Sequence, residues 1–198
     1  AQEWLNKFIK HNPSNPEALS LLSQVLLLDK KEADAEKVLA KAVSINSELP
    51  SVYRNQARLL MKQSKTLEAL EKAQLGCKQF PEDIESLLVL AACLGANKRD
   101  IEAMLIIEKL LKMKPDYTEA YVNRALLKLR AKDTTGAIED AEMAVLLKPH
   151  LSQMWWVLGS LYHKVGSLNL AIEALRKANK IEPKNSAFMA QLGKLLQE

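Results

Sequence analysis

Apolar residues recur along the chain at the three- and four-residue intervals of amphipathic helices, and the pattern breaks at evenly spaced Pro and Gly residues. The clearest stretch runs through Trp155, Leu158, Gly159 and Tyr162, stops at Gly166-Ser167, and resumes as Ala171, Leu175 and Ala178 before Pro183. A turn that short sends the second stripe back along the first, so the predicted element is an antiparallel helical hairpin. In the copy before it, Asp133 stands where the second helix needs an N-cap.

The hairpin repeats. Ala1, Ala35, Ala69, Ala103, Ala137 and Ala171 are spaced by 34 residues with no insertion or deletion. Pro13, Pro81, Pro115, Pro149 and Pro183 share a second phase, broken only by Ser47, and each marks a place where a helix must end. A third phase is small (Ser23, Ala57, Ala91, Ala125, Gly159, Gly193) and a fourth is large (Leu19, Tyr53, Leu87, Tyr121, Trp155, Met189). Small residues let two helix backbones approach while bulky neighbours fill the adjoining holes, so the phases predict two packed helices per repeat.

These residues resemble the tetratricopeptide repeat family, whose pattern W-x-x-L-G-x-x-Y, A, A, P reads here as Trp155, Leu158, Gly159, Tyr162, Ala171, Ala178 and Pro183. The resemblance covers the whole chain, 1–198, as a single array. Residues 1–15 form the second helix of a truncated repeat, followed by full repeats 16–49, 50–83, 84–117, 118–151 and 152–185; residues 186–198 are the first helix of another. An array that starts and stops within a repeat is expected to be a piece of a larger protein. The resemblance implies an all-α, right-handed superhelical solenoid of antiparallel helix pairs, about twelve helices in all. The pattern is broken at Phe8 and Leu110, where the family usually has Ala, and at Gln56 and Arg124, where it usually has Leu. Arg124 is expected to pair with Asp140 on the partner helix.

Composition narrows the chemistry. With 48% hydrophobic and 26% charged residues the chain is ordinary for a globular protein, and a net charge of +4 without a basic run does not favour nucleic acid. No stretch approaches the roughly 20 apolar residues of a membrane span, so membrane insertion is not expected. Cys77 and Cys93 lie within apolar helical patterns and are read as buried thiols rather than a disulfide. His11, His150 and His163 lack companions at metal-ligand spacing, and phosphate-binding and nucleophile-elbow motifs are missing. Paired carboxylates such as Glu82-Asp83 and Glu139-Asp140 are read as solvated surface. The expectation is a non-catalytic chain without metal or cofactor, in the cytoplasm.

The family resemblance implies that first helices line a concave surface through positions two, five, six, nine, twelve and thirteen of each repeat. On it, Arg54, Arg58 and Lys62 are spaced i, i+4, i+8 as a basic stripe, with Asn55 and Asn123 at position six. Leu88, Ala92, Val122, Leu126 and Trp156 supply an apolar floor, with Ser160 at position nine and Arg130 and Lys164 at the rim. For Leu88, Val122 and Leu126 two readings stand, exposure in the groove or cover by neighbouring helices, and for the basic stripe two more, a guest contact or a solvated face. The expected partner is a protein or peptide segment with apolar anchors and an acidic group toward Arg54 and Arg58. Residues around Asn123 and Asn55 do not complete the family's clamp for chaperone tails, and two asparagines do not make the ladder of the O-GlcNAc transferases. Two alternatives remain: a substrate-recruiting arm of a larger enzyme, such as a glycosyltransferase or sulfotransferase, and end-to-end self-association through Trp4, Leu5, Phe8 and Ile9 at one end and Met189, Leu192, Leu195 and Leu196 at the other.

Overall fold

The computed structural model describes residues 2–197; Ala1, first of the alanine phase, and Glu198 lie outside them. Among the described residues there are twelve α-helices and no strand: α1 Gln2–His11, α2 Pro16–Leu28, α3 Glu32–Ile45, α4 Pro50–Lys62, α5 Thr66–Gln79, α6 Ile84–Ala96, α7 Asp100–Met113, α8 Thr118–Arg130, α9 Thr134–Leu147, α10 Ser152–Lys164, α11 Leu168–Ile181 and α12 Ser186–Leu195. The all-α hairpin class read from the sequence is the class observed. Contacts divide the chain into two compact units, Ala1–Ile106 and Ile107–Glu198, with the boundary inside α7.

The periodic small residues are where the helices close. Ala35, Ala69, Ala103, Ala137 and Ala171 on the second helices are at most 1% exposed, and Ser23, Ala57, Ala91 and Ala125 on the first helices at most 2%. Gly159 shows why the phase stays small: a Cβ there would stand 2.7 Å from Leu175 Cγ and 3.1 Å from the Ala171 carbonyl oxygen, so α10 and α11 touch through bare backbone. Larger side chains fill the space around these contacts. In the first unit Leu5, Leu22, Leu26, Leu27, Leu39 and Leu59 pack with Ala35; in the second, Val145, Met154, Leu158 and Leu161 pack with Ala137, Ala141 and Ala144.

Helix starts follow the local chemistry. Asn15 accepts from the Ala18 amide at 2.8 Å ahead of Pro16, Asp83 from Ser86 at 2.8 Å, and Asp133 from Gly136 at 2.9 Å, the last being the cap expected from the sequence. The turns inside the hairpins share one backbone device at 34-residue intervals. Lys30, Ser64, Lys98, Lys132 and Gly166 all lie in the left-handed region, with φ of 59°, 61°, 60°, 64° and 78°. The residue after each donates its amide to a carbonyl five residues back, as Lys31 does to Leu26 (2.9 Å) and Ser167 to Tyr162 (2.9 Å), while the left-handed residue itself bonds three back. This is the Schellman closure, which satisfies the carbonyls a helix end leaves open.

Candidate functional site

In the first unit, the basic stripe lies on α4, but the chain itself supplies its counter-charges. Arg54 Nη1 donates to Asp83 Oδ2 at 2.5 Å, and Arg58 Nη2 lies 3.5 Å from Glu85 Oε2, which is also 3.9 Å from Arg54 Nε. Asp83 caps α6 and Glu85 lies in its first turn, so the stripe of one repeat grips the helix start of the next. Burial draws the Asp83 carboxyl upward, yet Ser86 and the Arg54 guanidinium outweigh it and hold the group below its ordinary range. The expected role of Arg54 and Arg58 as acceptors of a guest's acid is corrected accordingly, because their charge is spent inside the unit. Lys62, the third member of the stripe, is exposed at the end of α4.

Asn55 needs a second correction. It is 1% exposed, and its amide donates to the Ser20 carbonyl at 2.7 Å and lies 3.0 Å from Ser20 Oγ and 3.2 Å from Ser23 Oγ. A buried amide with its donors satisfied fastens α4 to α2 and is closed to a guest. Leu88 is half-buried and Ala92 exposed on α6.

In the second unit, α8 carries Val122, Leu126 and Arg130 one turn apart, and α10 carries Trp156, Ser160 and Lys164 at the same repeat positions. Both helices pack on α9. Val122 is half-buried against the core containing Met154 and Leu158, while Leu126 is 48% exposed and Arg130 and Lys164 are exposed. Trp156 is half-buried and stacks on Phe188 of α12, ring centroids 6.2 Å apart. Its Nε1 is shielded from solvent and has no hydrogen-bond partner. Ser160 accepts from Gln191 Nε2 at 2.8 Å and donates to the Trp156 carbonyl at 2.9 Å. Asn123 is half-buried and turns its amide back to the Glu119 carbonyl at 3.0 Å.

Sequence reasoning missed Phe188, which with Gln191, at position six of its repeat, finishes the α10 side of this face. Phe188 lies in α12, where the large phase falls on Met189 instead. Of the residues proposed for end-to-end contact, Leu5 and Leu195 are 3% and 2% exposed, whereas Trp4, stacked on Phe8, is 64% exposed and Leu196 54%.

Among the described residues, no group of three or more His, Cys, Asp and Glu side chains is placed to hold a metal ion, and no helix is long and apolar enough to cross a membrane. Cys93 is fully buried on α6; burial and the nearby Cys77 push its thiol up to about 11.

Comparison with known proteins agrees with this architecture. Residues 152–185 match the tetratricopeptide repeat model, and residues 1–130 match the model of the ChAPs, the Chs5p-Arf1p-binding proteins. The human protein O-mannosyl-transferase TMTC3 is 25% identical over 182 residues, 91% of this chain and 20% of its own length. Mouse tetratricopeptide repeat protein 33 is 31% identical over 115 residues, 58% of this chain and 43% of its own. The chain thus spans less than half of either relative. Among solved structures, a thermophilic TPR protein of Thermus thermophilus superposes with a TM-score of 0.81 at 18% identity, over 93% of this chain and all of its own. The chain is therefore a tetratricopeptide repeat protein, and it belongs to the ChAPs family, the Chs5p-Arf1p-binding proteins.

Proposed function

We propose that the chain is a non-catalytic interaction scaffold whose first helices hold a segment of a partner protein, with the strongest hold in the second unit. The observation that carries this reading is the paired stripe Val122-Leu126-Arg130 and Trp156-Ser160-Lys164, apolar at one end and basic at the other. Leu126, 48% exposed, is a large apolar side chain left to solvent between two half-buried ones, and Trp156 is of the type most often found as a binding hot spot. The guest expected is an extended or helical segment with apolar anchors on Val122, Leu126 and Trp156 and an acidic group toward Lys164. The family description, which names protein ligands for the ChAPs, supports a protein as the guest.

The test is affinity capture with the wild-type chain and a Leu126→Ser/Trp156→Ala variant, followed by calorimetry on the purified partner. Trp156→Ala is expected to weaken binding by about 2 kcal/mol. Circular dichroism controls for the loss of the Phe188 stack. Identical capture by both chains, with the variant folded, overturns the proposal.

A second reading has one observation in its favour, the 182-residue likeness to a protein O-mannosyl-transferase. In that reading the array is the substrate-recruiting arm of a larger enzyme. A catalytic domain in the same polypeptide, whose turnover drops when Trp156 is replaced while its activity on free acceptor persists, would favour it.

A further inference from the structure

We infer that the notch between α3, α4 and α5 in the first unit is a socket for a tyrosine side chain presented by a partner protein, separate from the face proposed above. The notch has a volume of about 420 Å³. Leu39, Val43, Leu59 and Leu60 line it with apolar surface, and Glu36, Glu68, Lys65 and Lys72 stand around it.

The second unit contains the same notch, filled by its own chain. Three repeat periods further on, Tyr162 replaces Leu60, Glu142 replaces Ala40, Leu158 replaces Gln56 and Ala174 replaces Lys72, with Val145 in the place of Val43. There the Tyr162 ring enters the notch and its hydroxyl donates to Glu142, while Lys177 Nζ lies 4.4 Å from the centroid of the adjacent Trp155 ring. The space left is about 210 Å³, half that of the first unit. In the first unit both the ring and its acceptor are gone, since Leu is smaller than Tyr and Ala cannot accept. What remains is an apolar floor walled by charges that the other copy lacks, since Glu36, Lys65, Glu68 and Lys72 stand where that copy has Ile138, Ser167, Leu170 and Ala174.

The walls decide between guests. Carboxylates and ammonium groups stand there in equal number, so a charged guest meets repulsion from one kind as it is drawn by the other. An aliphatic guest makes use of neither. A phenol is neutral, lays its ring on Leu39 and Leu59, offers its negative face to Lys72, and donates its hydroxyl to Glu36 or Glu68. Gln63 Nε2 donates to Glu36 Oε2 at 3.3 Å, which leaves the other Glu36 oxygen for the guest.

The probe is N-acetyl-tyrosine amide, titrated into the full chain with methyl NMR on Leu39, Val43, Leu59 and Leu60, and N-acetyl-leucine amide in parallel. Saturable shifts at these methyls are expected with the tyrosine probe, and affinity at least threefold lower with leucine. The double variant Ala40→Glu/Leu60→Tyr, which rebuilds the filled notch, is expected to melt at higher temperature and lose the response. Lys72→Met keeps the alkyl stem and is expected to weaken the tyrosine probe severalfold, a readout that stands if the double variant does not fold. No saturable shift in the wild-type chain, an equal response to leucine, or an unchanged response in the Lys72 variant overturns the inference.

Discussion

Arg124 forks both carboxylate oxygens of Asp140, Nε to Oδ2 at 2.9 Å and Nη2 to Oδ1 at 2.6 Å, and joins α8 to α9 from a position where the family usually places leucine. Lys128 Nζ adds a third contact, 3.0 Å from Asp140 Oδ2, and the guanidinium lies 5.4 Å from the Tyr121 ring centroid. With Asp140 only 2% exposed, its charge depends on these partners. Asp140→Ala is expected to cost about 3 kcal/mol, because it strands two cations at a helix contact. Arg124→Leu combined with Asp140→Ala should recover part of that loss, since only Lys128 is then left without its carboxylate and it still donates to the Gly136 carbonyl oxygen at 3.1 Å. Urea unfolding of the two single variants and the double variant measures the coupling; additive losses would mean the pair does not act as a unit.

The left-handed residues in the hairpin turns are expected to respond to glycine in opposite ways. Lys30 and Lys132 carry side chains at φ of 59° and 64°, a conformation that costs an L-residue about 1 kcal/mol. Lys30→Gly and Lys132→Gly should therefore raise the melting temperature, the gain being reduced by the greater freedom of unfolded glycine. Gly166, at φ 78°, has open space where a Cβ would stand, with no atom within 4 Å, so the loss of about 1 kcal/mol expected for Gly166→Ala is backbone strain alone. Calorimetric melting compares all three.

At the α10–α11 contact the expected effect is steric. Gly159→Ala puts a methyl group 2.7 Å from Leu175 Cγ and 3.1 Å from a backbone oxygen that cannot move freely. A destabilisation of about 1–3 kcal/mol is expected. Leu175→Val in the same chain should return only part of it, since the carbonyl stays in place. Full recovery would show that the leucine alone sets the limit.

Alkali is expected to act through Cys93. Its thiol is pushed from 9.0 up to about 11 in the folded chain, so between these values the unfolded chain gives up the proton and the folded chain keeps it. Stability tied to this group is whole below pH 9 and is lost as pH climbs toward 11. The loss has an upper bound of about 3 kcal/mol. Cys93→Ala lowers stability at every pH by opening a small cavity, but it should flatten the decline between pH 9 and 11. Tyr162, whose hydroxyl is also held upward by burial and by Glu142, contributes to any slope that remains, and Tyr162→Phe separates the two.

The hairpins were legible because their cause is local and repeated: a small residue every 34 positions is a packing requirement written in residue type. Arg124 and Asp140 were legible for a similar reason, since a polar side chain in a leucine position must find its partner on the facing helix. Arg54 and Arg58 misled because their counter-charges, Asp83 and Glu85, lie 29 and 27 residues ahead, at the start of the next repeat, and serve a helix cap as well. Asn55 misled because its acceptors are a carbonyl and two serines, which no charge pattern advertises. Of the turns only the one at Gly166 announced itself, since Lys30, Ser64, Lys98 and Lys132 share its backbone shape without its residue type. Trp155 and Trp156 divide as their neighbouring directions require: Trp155 anchors its Nε1 on the Pro149 carbonyl at 2.8 Å, and Trp156 faces Phe188.

Those turns also bear on how such a chain grows and shrinks. Because each hairpin closes through main-chain bonds at a constant interval, removing or duplicating any whole 34-residue stretch rejoins two ends that already share the same template. The left-handed turn positions thereby set the step in which such an array can be lengthened or shortened by design, one whole hairpin at a time.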